Sequence, residues 1–141
     1  MNPITTLSSF LLVIGIVAVS YGNSFAQDIT GEWVNAIQNT KVLIYKGRKD
    51  TKTVRYNENV NKYYGRVTWS KTGSAQKNQK VIVAFSSQGG NYYKEGTITH
   101  IRNGREYEGY LQLLEDGTLK MRKYVEVSYV GTTEIWNRVG K

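Results

Sequence analysis

The chain has 141 residues, with 19 Lys plus Arg against 11 Asp plus Glu, one His, no Cys and a formal net charge of +8. Without Cys there is no disulfide scaffold, no thiolate nucleophile and no thiolate metal site, and one His cannot build a multi-histidine centre within a single chain. No charged side chain precedes Asp28, so an uncharged segment, 1–26, is followed by a basic piece, 27–141, long enough for one core and too short for two.

Residues 10–19 form an uninterrupted apolar run of ten. A bilayer-spanning helix needs roughly 20 apolar residues, so the run has the length of a signal-peptide core instead. Ser24-Phe25-Ala26 then places small residues where a signal peptidase cuts, ahead of Gln27. The expectation is an exported protein, periplasmic or secreted, that keeps no membrane span after cleavage. An uncleaved N-terminal anchor is the competing reading, because no Lys or Arg precedes the run.

Beyond Gln27 no Pro occurs, and apolar residues recur with a period of two instead of 3.6. Strands are predicted near 31–37, 40–46, 52–57, 61–69, 80–86, 91–100, 105–113, 118–124, 125–130 and 132–139. Val81, Val83 and Phe85 share one face of the fifth run. Tyr107, Leu111 and Leu113 share a face with Gly109, against Glu106, Glu108, Tyr110 and Gln112; Leu119 and Met121 oppose Lys120 and Arg122. Asn103-Gly104 and Asp116-Gly117 separate neighbouring runs, and such pairs favour a type I′ hairpin turn because both residues tolerate positive φ. Strands joined by tight hairpins pair antiparallel. This all-β meander closes most simply into an up-and-down barrel, which removes exposed edges; a two-sheet β-sandwich is the alternative.

The start, Asp28-Ile29-Thr30-Gly31-Glu32-Trp33, and the end, Thr132 to Val139 with its Ile135-Trp136-Asn137-Arg138, resemble the two ends of the bacterial DUF2147 family, which is lipocalin-like and of unknown function. Lys41-Val42-Leu43-Ile44-Tyr45, Tyr64-Gly65-Arg66-Val67-Thr68-Trp69 and Leu119-Lys120-Met121-Arg122 fall where its other strands run. Two departures lie in loops: His100-Ile101 stands where family members tend to have Asp-Pro, and the 70–80 connection is short. The wider calycin resemblance implies an end plug, with Gly31 admitting a close backbone approach and the Arg138 guanidinium lying across the Trp33 ring.

Catalysis needs a nucleophile, a base and an orienting group in one place. His100 is the only imidazole and reads as an ordinary strand-end residue, Glu106 and Glu108 read as solvated, and no phosphate loop or metal-ligand spacing appears. The expectation is therefore a non-enzyme without catalytic residues, metal or cofactor. Strand parity puts Val67, Trp69, Phe85, Ile98, Tyr107, Leu111 and Met121 inside the barrel, a lining suited to a small apolar, lipid-like ligand. Eleven basic residues lie between Lys41 and Lys80 against Asp50 and Glu58 alone. The second expectation is thus an envelope-surface module that meets polyanions (lipopolysaccharide, anionic lipid) through Lys46, Arg48, Lys49, Lys52, Lys71 and Lys77. Export would remove intracellular nucleic acid as a partner.

Overall fold

Period-two alternation becomes nine strands in the computed structural model, which describes residues 28–48, 58–126 and 130–140. They are β1 (Gly31–Asn35), β2 (Thr40–Lys46), β3 (Tyr63–Ser70), β4 (Lys80–Ser87), β5 (Tyr92–Lys94), β6 (Thr97–Thr99), β7 (Glu106–Leu113), β8 (Leu119–Tyr124) and β9 (Gly131–Arg138). Residues 1–26 and the run expected at 52–57 lie outside the described residues. Every strand pairs antiparallel with its neighbours, and β9 returns to β1 through Trp33 opposite Arg138, Val34 opposite Asn137 and Asn35 opposite Trp136. β5 and β6 share one place between β4 and β7. The result is a closed antiparallel barrel of eight strand positions, and closure from last strand to first sets aside the sandwich.

The run expected at 91–100 is split because the chain kinks at Glu95, where φ is 67°, and opposite it at Ala84, where φ is 59°. A side chain on Gly96 would place its Cβ 2.4 Å from the Phe85 ring and 2.6 Å from the Val83 carbonyl oxygen, so the ring packs directly on bare backbone. The kink carries two residues where the partner strand has one fewer: Ile82 lies opposite Gly65 and Phe85 opposite Tyr63. Ile82 and Phe85 are therefore both buried while Val83 and Ala84 are only half-buried, which removes Val83 from the expected face and leaves Val81 and Phe85 buried.

A second bulge corrects a predicted lining residue. Lys41 lies opposite Trp69 and Val42 opposite Val67, leaving Thr68 as the extra residue. Val67 keeps its inward direction and Trp69 is turned outward, 43% exposed, with the Lys41 ammonium 5.6 Å from its ring. Two turns also differ from expectation. Of Asn103-Gly104 and Asp116-Gly117 only the glycines have positive φ, and Gly117 N–H closes on the Leu114 carbonyl at 3.0 Å. The 114–117 geometry is a type I turn ended by a left-handed glycine, whereas the Gly104 N–H closes on the His100 carbonyl four residues back at 3.0 Å; neither is type I′. Val125 and Glu126 are bends and not strand, with Glu126 at φ 65°.

The interior is filled along most of its length. Trp33, Val42, Ile44, Val67, Ile82, Phe85, Ile98, Leu111 and Leu119 are all essentially inaccessible to solvent. Residues 28–30 enter at one end of the barrel, from which the β2–β3, β4–β5 and β7–β8 connections also leave. The β1–β2, β3–β4, β6–β7 and β8–β9 connections crown the opposite end, and there the packing opens.

Candidate ligand site at the mouth of the barrel

At the N-terminal end the Arg138 guanidinium lies 4.3 Å above the Trp33 ring centroid. It donates from Nη1 to the Thr30 carbonyl at 2.8 Å and from Nη2 to the Asp28 carbonyl at 2.9 Å. The Trp33 indole N–H donates to the Ile29 carbonyl at 2.9 Å. Gly31 sits between them with φ 130°, and a Cβ there would lie 2.9 Å from Arg138 Nη1. Indole and guanidinium thus tie residues 28–30 across the barrel end, an arrangement for holding structure.

The opposite end holds a cavity of about 220 Å³. Its floor is apolar, from Val81, Ile98, Met121 and Trp136, with Ile37 and Ile101 at the rim; Asn35, Asn39, Thr40, His100, Arg102, Lys123 and Glu134 add polar groups. An adjoining cleft of about 610 Å³ is lined by Tyr107, Tyr124, Val125 and Val130 together with His100, Lys123 and Glu134. The last three line both spaces and form the wall between them. Met121 lies opposite Glu134 in the β8–β9 register, so both face inward. Lys123 Nζ donates to Glu134 Oε1 at 3.4 Å, and the Trp136 indole donates to Glu134 Oε2 at 3.2 Å. The Lys123 side chain is 13% exposed against 44% for Glu134. His100 Nδ1 accepts the Arg102 backbone N–H at 3.2 Å. Across the mouth, Asn35 Oδ1 accepts the N–H groups of Asn39 and Thr40 at 2.9 and 3.1 Å, which fixes the β1–β2 turn.

Of the residues expected to line a ligand space, Ile98 and Met121 line the cavity and Tyr107 lines the cleft. Val67, Phe85 and Leu111 belong to the packed core below them, and Trp69 is outside. Sequence reading missed Lys123, Glu134 and Trp136, although the Trp136–Arg138 alternation already places Glu134 on their face.

Among the described residues, the candidate basic side chains fall into two separate groups. Lys46 and Arg48 lie where β2 ends, Lys71 and Lys77 in the β3–β4 connection, and Lys49 and Lys52 are outside the described residues. The eight residues of β3 separate the two groups, on the order of 23 Å at strand rise. Two other bases of the segment, Arg66 and Lys80, meet at Glu58, whose side chain is 2% exposed. Lys80 Nζ reaches Glu58 Oε2 at 3.1 Å and Arg66 Nη2 reaches Oε1 at 3.7 Å. The Tyr45 hydroxyl donates to Oε2 at 2.8 Å and accepts from Arg66 Nε at 2.6 Å. Burial first, and the neighbouring Glu58 charge and hydrogen bond next, push the Tyr45 hydroxyl up to about 12. This cluster clamps the β2–β3 connection to the outside of the barrel. Among the described residues no group of three or more His, Cys, Asp or Glu lies together as a metal site would require. Glu106 and Glu108 are exposed.

The sequence profile of a family described as uncharacterized protein conserved in bacteria, DUF2147, matches residues 31–138, from the first strand to the last. The chain belongs to the DUF2147 family. Among solved structures, this DUF2147 barrel is similar to protein HP1028 from the human pathogen Helicobacter pylori, described as belonging to the lipocalin family. The TM-score is 0.60, over 81% of this chain and 84% of that one, at 16% identity. The likeness shows the lipocalin-type fold. No curated protein matches the chain.

Proposed function

We propose that this protein is a non-enzymatic binder of a small, mostly apolar molecule, held at the mouth of the barrel. The observation that carries the reading is the contrast along the barrel axis: a filled core below, and above it an open space of about 220 Å³ floored by Val81, Ile98, Met121 and Trp136. Ligand sites for drug-sized molecules run to roughly 300–1,000 Å³, so the guest is smaller than these and an extended acyl chain has no room to descend. A buried methylene contributes about 0.8 kcal/mol, so a six-carbon body gains about 4–5 kcal/mol and binds in the millimolar range. In the same reading residues 1–26 direct export, and the site meets its ligand outside the cytoplasm. The lipocalin-type fold, shared with a protein assigned to that family, supports binding over catalysis.

Isothermal titration with isohexanol tests the site. The alcohol should bind and should raise the melting midpoint, since a ligand at 100 times its Kd adds about 2.7 kcal/mol to a folded state that alone binds it. Met121→Trp fills the cavity and should abolish both effects. Unchanged affinity in Met121→Trp, or no binding by any probe built on this six-carbon body, charged or neutral, removes the mouth as the site.

A further inference from the structure

The wall between cavity and cleft carries one charge of each sign, and that is unusual for a space whose floor is apolar. We infer that the molecule held at the mouth is a small zwitterion with an apolar body, of the class of the apolar α-amino acids; the inference rests on the mouth-cavity reading. Lys123 Nζ and Glu134 Oε1 stand 3.4 Å apart with both groups lining both spaces. A ligand carrying an ammonium and a carboxylate on one carbon presents the same two charges side by side. Its carboxylate meets Lys123 and its ammonium meets Glu134, so one ion pair is exchanged for two and no charge is left unpaired. The apolar body then points away from the wall, onto Ile98, Met121 and Trp136.

Ligands with a single charge fit less well. An acid can pair with Lys123 or Arg102, but at Lys123 it faces the Glu134 carboxylate, which the Trp136 indole holds from its other oxygen at 3.2 Å. An amine pairs with Glu134 but lies against Lys123, with Arg102 also lining the space. A neutral molecule leaves the pair intact and gains only contact with the floor. Size agrees with charge: about 220 Å³ takes a branched aliphatic side chain with its α-carbon and falls below the range of larger ligands.

The probe set is leucine, isocaproate (the same body without the ammonium), isopentylamine (without the carboxylate) and isohexanol (without either charge), each titrated calorimetrically into the intact protein. Leucine should bind at least tenfold more tightly than any of the other three. Glu134→Gln should bring leucine down to the affinity of isocaproate, and Lys123→Met to that of isopentylamine, with circular dichroism confirming that each variant is folded. The wild-type panel decides the matter without any variant. If isohexanol or isocaproate binds as tightly as leucine, the zwitterion is wrong and the mouth site stands. If none of the four binds, the mouth site falls with it.

Discussion

Arg138 makes three separable contacts at the N-terminal end of the barrel, and removing it measures what holds residues 28–30 in place. Arg138→Met keeps most of the aliphatic length but loses the guanidinium 4.3 Å above Trp33 and the two donations to the Thr30 and Asp28 carbonyls. A cation over indole contributes about 0.5–2 kcal/mol. A hydrogen bond from a charged group contributes about 1.5–3 kcal/mol, and of the two only the part-buried bond to Thr30 counts fully. The expected loss is about 2–4 kcal/mol, which for a domain of this size lowers the thermal midpoint by about 8–16 °C. Arg138→Lys should recover less than half of it, because an ammonium cannot reach two carbonyls and lie flat on the ring together. Urea denaturation of Arg138→Met, Trp33→Phe and the double variant gives the coupling between the two side chains. A loss below about 0.5 kcal/mol for Arg138→Met, or no coupling, would refute the assignment of the barrel end to this pair.

Glu58→Ala should cost about 1–3 kcal/mol, at the lower end for a broken buried pair because Lys80 and Arg66 retain partial access to water; it should also bring the Tyr45 ionisation down from about 12, since Glu58 is the second cause of that elevation after burial. Tyr93, also held near 12, chiefly by burial and then by the neighbouring Tyr63, joins Tyr45 in an alkaline dependence: both favour the protonated form when folded, so their stabilisation is complete below pH 10 and is lost between pH 10 and pH 12. Urea midpoints measured across that window should fall, and should fall less in the Tyr45→Phe, Tyr93→Phe double variant. Intact mass of the protein recovered from an exporting host should correspond to a chain beginning at Gln27; membrane-bound material that retains residues 1–26 would establish an uncleaved anchor instead.

The barrel was legible in the sequence wherever a strand runs without interruption. In β7 and β8 the alternation of Tyr107, Gly109, Leu111 and Leu113, and of Leu119 and Met121, matches the inward face residue for residue. It fails at the bulges that break the register of β3 with β2 and with β4. A phase set by Val67 and Val81 does not carry on to Trp69 and Val83, because extra residues in β3 and β4 reverse or blur it. A bulge is a property of two paired strands, and no single-strand pattern contains it. The break at Glu95 and Gly96 is of the same kind: Gly96 is written in the sequence, but the ring that lies on it comes from Phe85 in another strand.

The candidate site was less legible, because polarity is read as exposure. Along β8 and β9, Lys123 and Glu134 look like solvent-facing residues by type, yet parity with Met121 and Trp136 turns both inward. Type and parity conflict at the ends of the barrel, where a side chain can point inward and still keep water at its tip. Glu58 shows the limit from the other side. As one acid among eleven bases in its stretch it reads as incidental charge, whereas the fold buries it under Tyr45, Arg66 and Lys80. An inward ion pair near the mouth and an outward one under the β2–β3 connection therefore have opposite consequences. The buried cluster holds the Glu58 carboxylate among Tyr45, Arg66 and Lys80 on the outside of the barrel. The Lys123–Glu134 pair, with the carboxylate 44% exposed and open space on both sides, is the one whose partners a ligand can replace.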